Sequence, residues 1–64
     1  MPYMTWGESN RLYRLYDRHT RGIVQLTEMQ KHIVLTTIAL HQSKMDVPDW
    51  QMRDLSEIYK TTGQ

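Results

Sequence analysis

Cysteine is absent from this chain of 64 residues, so neither a disulfide staple nor a thiolate metal site can hold it together. Histidine is sparse: His19, His32 and His41 are too scattered to supply a zinc set. His32 and His41 are separated by two and a half turns of the same expected helix and cannot chelate jointly. Long apolar runs are also lacking. None approaches the roughly 18 residues of a membrane span, and nothing resembles a signal peptide, so a soluble, cytoplasmic chain without a membrane partner is expected. Catalytic patterns are missing as well. Ser9, Ser43 and Ser56 have no histidine or glycine-elbow context, and Asp17 and His19 point to different faces of a helix. The carboxylates of Asp46, Asp49, Asp54 and Glu57 invite a metal-cluster reading, but helix capping and solvation explain them more simply. The expectation is a protein that is not an enzyme and carries no cofactor or metal. A chain this short buries only about 60% of its unfolded surface, which makes self-association, for instance as a homodimer, a reasonable source of added stability.

What is present is organised around residues 26–43, LTEMQKHIVLTTIALHQS, which hold the longest apolar run. Thr27 and Gln30 have the spacing of a capping box, in which the threonine oxygen takes a free first-turn amide and the glutamine reaches back. Met29, Ile33 and Leu40 fall on one face, with Val34, Ile38 and Met45 beside it, and only Thr36 and Thr37 interrupt the run from Ile33 to Leu40. A segment apolar nearly all round predicts burial on more than one side, by neighbouring helices or by a second copy of the chain. β-Branched residues weaken the helix preference, so a strand over 33–38 is the rival. The cap, the length and the lack of turn residues favour a central helix over about 27–43.

Lighter segments flank it. Residues 1–4, with Pro2, are expected to be a loose end. Thr5 and Glu8 repeat the capping-box spacing and predict a first helix from near Trp6 (with Ser9 as the alternative start), stopping near Gly22. After Ser43, Pro48 forbids a continuous helix. Asp46 or Asp49 is expected to cap a third helix that turns Trp50, Leu55, Ile58 and Tyr59 to the core and stops at Gly63. Trp6 and Trp50 are expected in the core or at its rim, and either becomes an interface hot-spot candidate if exposed. The fold class is all-α: a small three-helix domain, with residues 1–64 as a single helical domain.

Charge is unevenly placed. Arg11, Arg14, Arg18 and Arg21 against Glu8 and Asp17 leave residues 1–25 at +2, whereas Lys31, Lys44, Arg53 and Lys60 against five carboxylates leave residues 26–64 at −1. On the first helix Leu12, Leu15, Tyr16 and Tyr13 span one arc, and Arg11, Arg14, Arg18 and Arg21 fall within roughly 80° of one another on the other. Such a row can track phosphates, since guanidinium groups bind phosphate oxygens bidentately, and Tyr13 and Tyr16 sit at its edge. The alternative is an ordinary solvated face, with Asp17 one turn from Arg14 and Arg21.

Two resemblances follow. Leu26, Thr27, Gln30, Ile33 and Val34, then Asp54, Leu55 and Ser56, then Thr62 and Gly63 resemble the opening of winged-helix DNA-binding domains of the MarR-type, SOS-repressor-type and phage replication initiator families. In MarR-type proteins an arginine- and tyrosine-bearing helix precedes this pattern, as RLYRLYDR does here. The recognition helix of those families follows the glycine turn, and the present sequence ends at Gln64. The resemblance therefore implies a small regulatory protein in a DNA transaction (transcription or replication), docking on a protein partner, with phosphate contact through Arg11, Arg14, Arg18 and Arg21. Residues 17–28, DRHTRGIVQLTE, resemble an EF-hand loop, with Asp17 first, Gly22 sixth and Glu28 last. His19 and Arg21 stand at the third and fifth positions, so the hand would be degenerate and calcium-free, and the chain a protein-interaction adaptor or inhibitor.

Overall fold

A computed structural model describes residues 4–63 as three α-helices, α1 (Trp6–Thr20), α2 (Glu28–Gln42) and α3 (Asp49–Thr62), with no strand among the described residues. Both expected capping boxes form. Thr5 Oγ1 accepts from the Glu8 amide at 3.2 Å while Glu8 Oε1 accepts from the Thr5 amide at 2.9 Å. Thr27 and Gln30 repeat the arrangement at 3.1 and 2.9 Å. Cover by α1 and α3, added to this start signal, outweighs the β-branching that made a strand the rival for residues 33–38.

The first two helices stop in the same way. At the end of α1 the Gly22 amide donates to the His19 carbonyl at 3.0 Å and the Ile23 amide to the Arg18 carbonyl at 2.9 Å. At the end of α2 Lys44 donates to His41 at 3.1 Å and Met45 to Leu40 at 2.9 Å. Both are Schellman stops, which require a left-handed residue just past the cap. Gly22 supplies it at φ 76° without strain, but at the second stop Lys44 must adopt φ 57°. Lys44→Gly is therefore expected to stabilise the fold by about 0.5–1 kcal/mol, the left-handed penalty less the added entropy of an unfolded glycine. Urea denaturation checks it. An unchanged or lowered midpoint would rule out strain at this stop.

α3 begins differently from expectation. Neither Asp46 nor Asp49 caps it: the cap residue is Pro48, with no side-chain cap bond, and its carbonyl accepts from the Gln51 and Met52 amides at 3.0 and 3.1 Å. Proline fits there because its extended backbone (φ −59°, ψ 147°) needs no amide hydrogen of its own. Asp49 becomes the first helical residue, where the helix dipole favours its charge. Once residues 50–59 share one helix, Trp50 cannot face the same way as Leu55, Ile58 and Tyr59, so Trp50 is 55% exposed rather than in the core, and Gln51 is buried instead. At about 100° per residue Gln51 lies in phase with Leu55 and Ile58, whereas Trp50 is turned roughly 140° from Leu55.

The core is Leu12 and Leu15 from α1, Ile33 and Val34 from α2, and Leu55, Ile58 and Tyr59 from α3. Met4, Tyr16, Val24, Leu26 and Ile38 pack against it. Met4 is thus tied to the core rather than part of a loose end; the remainder of that expected end, residues 1–3, lies outside the described residues. α2 lies between α1 and α3 and touches both. Its buried face also differs from expectation: Met29 is 77% exposed and Met45 is exposed, whereas Thr37 is fully buried. Gln51 Nε2 of α3 donates to Thr37 Oγ1 at 2.8 Å, and that hydroxyl donates to the Ile33 carbonyl at 2.7 Å. A buried side-chain bond thus joins α2 to α3 inside an otherwise apolar interface.

Candidate interaction surfaces

The arginines of α1 do not form four equivalent contacts. Arg11, at the edge of the row, places its guanidinium 4.2 Å from the centroid of the Tyr59 ring of α3, a cation–π contact that ties α1 to α3. Arg21 Nε lies 3.3 Å from Asp17 Oδ2, an exposed pair one turn apart. Arg14 is exposed and Arg18 half-buried, and neither has an ion pair among the described residues. A shallow open depression of about 510 Å³ adjoins the row, lined by Gly7, Asn10, Arg11 and Arg14. Trp6, 81% exposed, starts the same helix.

Among the described residues, Tyr59 carries the one strongly perturbed acid–base group. Its hydroxyl is buried without a hydrogen-bond partner, and burial pushes its pKa up to about 12; the Arg11 charge pulls the other way and Glu8 adds to the rise. A tyrosine that holds its proton so firmly is a poor acid, and its site is packed rather than open.

The candidate EF-hand residues are engaged locally. Asp17 pairs with Arg21, its carbonyl accepts from Thr20 Oγ1 at 2.8 Å, and the Glu28 carboxylate lies 3.3 Å from Lys31 Nζ. His19 Nδ1 lies 3.4 Å from the Val24 carbonyl, which holds the turn after α1. His41 meets the Tyr13 ring edge-on with centroids 6.1 Å apart, in the contact between α1 and α2, and His32 is exposed. No group of three or more His, Asp or Glu residues that could hold a metal ion occurs among the described residues. Asp54 and Glu57 instead rim a shallow cleft of about 230 Å³ between α2 and α3, with Met29, Ile33 and Ile58 as its apolar lining.

An uncharged surface lies on the outer side of α2. No lysine, arginine, aspartate or glutamate occurs between Lys31 and Lys44. Because α1 and α3 cover only one side of the helix, this run has a second side facing solvent: His32, Leu35, Ala39 and Gln42 are exposed, and Leu35 is 42% exposed. These residues recur at alternating spacings of three and four, the pattern of a helical docking stripe. The periodicity was visible in the sequence, but uniform hydrophobicity hid which side would be core. No described helix is long and apolar enough to cross a membrane. Compared with known protein families, curated proteins and solved structures, the chain matches none.

Proposed function

We propose that this chain is a small, non-enzymatic interaction protein of the cytoplasm, which acts by docking the outer stripe of α2 on another protein chain. The observation that carries this reading is the uncharged stripe itself. A helix on a solvated surface is ordinarily charged on its outer face, whereas this one presents Leu35 and Ala39 with no formal charge from residue 32 to residue 43. The test is a photo-crosslinking side chain at position 35, compared with one at position 53 on the exposed face of α3, in cells making the protein. Covalent protein adducts are expected from position 35 and not from 53. Equal yields, or none from 35, would overturn the reading.

A second reading has its own support. Arg14 and Arg18, one turn apart and without ion pairs among the described residues, suit contact with successive phosphates. With the winged-helix resemblance, this favours a regulator in a DNA transaction. Fluorescence anisotropy with labelled duplex DNA is expected to report binding that weakens steeply with salt and is lost in Arg14→Ala/Arg18→Ala. Arg11 is left intact in that variant because its contact with Tyr59 supports the fold. Absence of binding at low salt would remove direct DNA contact.

A further inference from the structure

We infer that the outer ridge of α1 binds single-stranded nucleic acid, with a base stacked on Trp6 and phosphates on Arg14 and Arg18; the inference rests on the phosphate contact proposed for these arginines. Side chains four positions apart form one ridge along a helix, and on α1 that ridge reads Trp6, Asn10, Arg14, Arg18. Trp6 is 81% exposed, Asn10 and Arg14 are exposed, and Arg18 is half-buried. Gly7, beside Trp6 in the chain, adds no side chain, so the depression lined by Gly7, Asn10, Arg11 and Arg14 stays open. Trp6 and Arg18 are twelve residue steps apart, roughly 18 Å of helix, a length that a few nucleotides can follow. The charges suit a polyanion. Both carboxylates of α1 are engaged, Glu8 in the capping box with Thr5 and Asp17 with Arg21. Arg14 and Arg18 have no ion pair among the described residues, so neither gives up a partner to meet a phosphate. Trp6 selects a single strand among polyanions. Paired bases stack on one another inside a duplex, whereas an unpaired base offers its face to an aromatic side chain whatever its sequence. Asn10, next along the ridge, can donate to and accept from a base edge. An acidic peptide would engage the arginines but give the indole no matching partner. An anionic membrane needs an apolar helix face, and Leu12 and Leu15, which form that of α1, are fully buried in the core.

Fluorescence anisotropy of the purified 64-residue chain with a labelled short oligothymidylate, and with a duplex of the same length, tests this across a salt series. The single strand is expected to bind roughly tenfold more tightly than the duplex. Trp6→Ala should weaken single-strand binding by roughly tenfold, and Trp6→Phe, which keeps an aromatic face, by much less. Neither should change helicity by circular dichroism, because Trp6 lies outside the core. Arg14→Ala/Arg18→Ala should weaken binding and flatten the slope of log affinity against log salt by about 1.4, about 0.7 for each phosphate contact. In a Trp50→Phe background Trp6 is the sole indole, and its emission should be quenched as the strand saturates. Oligouridylate run alongside distinguishes RNA from DNA, and binding of either strand through Trp6 supports the inference. Single-strand binding indifferent to Trp6→Ala overturns it. Duplex binding as tight as that of the single strand, and indifferent to Trp6→Ala, also overturns it but leaves the phosphate contact standing. Phosphatidylserine vesicles or polyglutamate bound more tightly than oligothymidylate would replace it with a lipid surface or an acidic protein. No binding of either nucleic acid at low salt removes both the single strand and the DNA reading.

Discussion

Thr37→Val is expected to lower the stability of the fold by about 2 kcal/mol, a large share of the roughly 3–10 kcal/mol that a domain of this size possesses. The reason is asymmetric. Valine keeps the shape of threonine but removes the oxygen to which Gln51 Nε2 donates, leaving a buried amide without its partner. Gln51→Leu should cost less, because the Thr37 hydroxyl keeps its bond to the Ile33 carbonyl. The double variant Thr37→Val/Gln51→Leu should recover most of the loss, since two apolar groups of similar shape replace the pair together. Urea denaturation of the four proteins gives the coupling energy directly. Additive single-variant effects would show that the buried pair contributes nothing specific to the contact between α2 and α3. The same pair bears on uniqueness. α2 is apolar around most of its circumference, so hydrophobic burial alone discriminates poorly among rotations of this helix, whereas a single directional bond to α3 does not.

Raising the pH from 10 to 12 should destabilise the fold through Tyr59. The sign follows from the direction of the shift. Burial lifts the folded pKa from the ordinary 10.0 to about 12, so the folded chain holds a proton that the unfolded chain has released. This contribution is complete below pH 10 and disappears as pH climbs through 12, a loss of roughly 2–3 kcal/mol at about 1.4 kcal/mol per unit. Tyr59→Phe removes both the ionisable group and a buried hydroxyl without a partner. It should therefore match or exceed the parent at neutral pH, by up to about 1 kcal/mol, and lack this part of the alkaline loss. Other tyrosines and lysines titrate in the same range, so the readout is the difference between the two unfolding curves across pH. Parallel curves would mean that Tyr59 ionises as freely folded as unfolded. The phenylalanine ring also keeps a face for Arg11, which separates the hydroxyl from the cation–π contact.

What the sequence by itself determined is local. Thr5 with Glu8 and Thr27 with Gln30 mark helix starts because a cap bond spans three residues and needs nothing distant. Gly22 and Gly63 mark helix ends because their left-handed backbone is cheap only for glycine. The strong segregation of α1, with Leu12 and Leu15 opposite the arginines, likewise left one way to bury it. The arc of Arg11, Arg14, Arg18 and Arg21 was legible for the same reason, but not the division of labour within it. The aromatic under Arg11 comes from α3, 48 positions further along the chain, and only packing brings it there.

Tertiary structure decided the rest. α2 carries no strong apolar face, so its rotation was set by two partner helices, which buried Thr37 and left Met29 and Leu35 outside. In α3 the packing of Leu55, Ile58 and Tyr59 on the other two helices chose the face, which brings Gln51 under the core and leaves Trp50 out, against the hydrophobicity of both. Burial of a glutamine becomes acceptable only when a partner such as Thr37 waits at hydrogen-bonding distance, and that partner belongs to another helix. Side-chain periodicity names the candidates for each face; the choice among them falls to whichever rotation satisfies the neighbours as well.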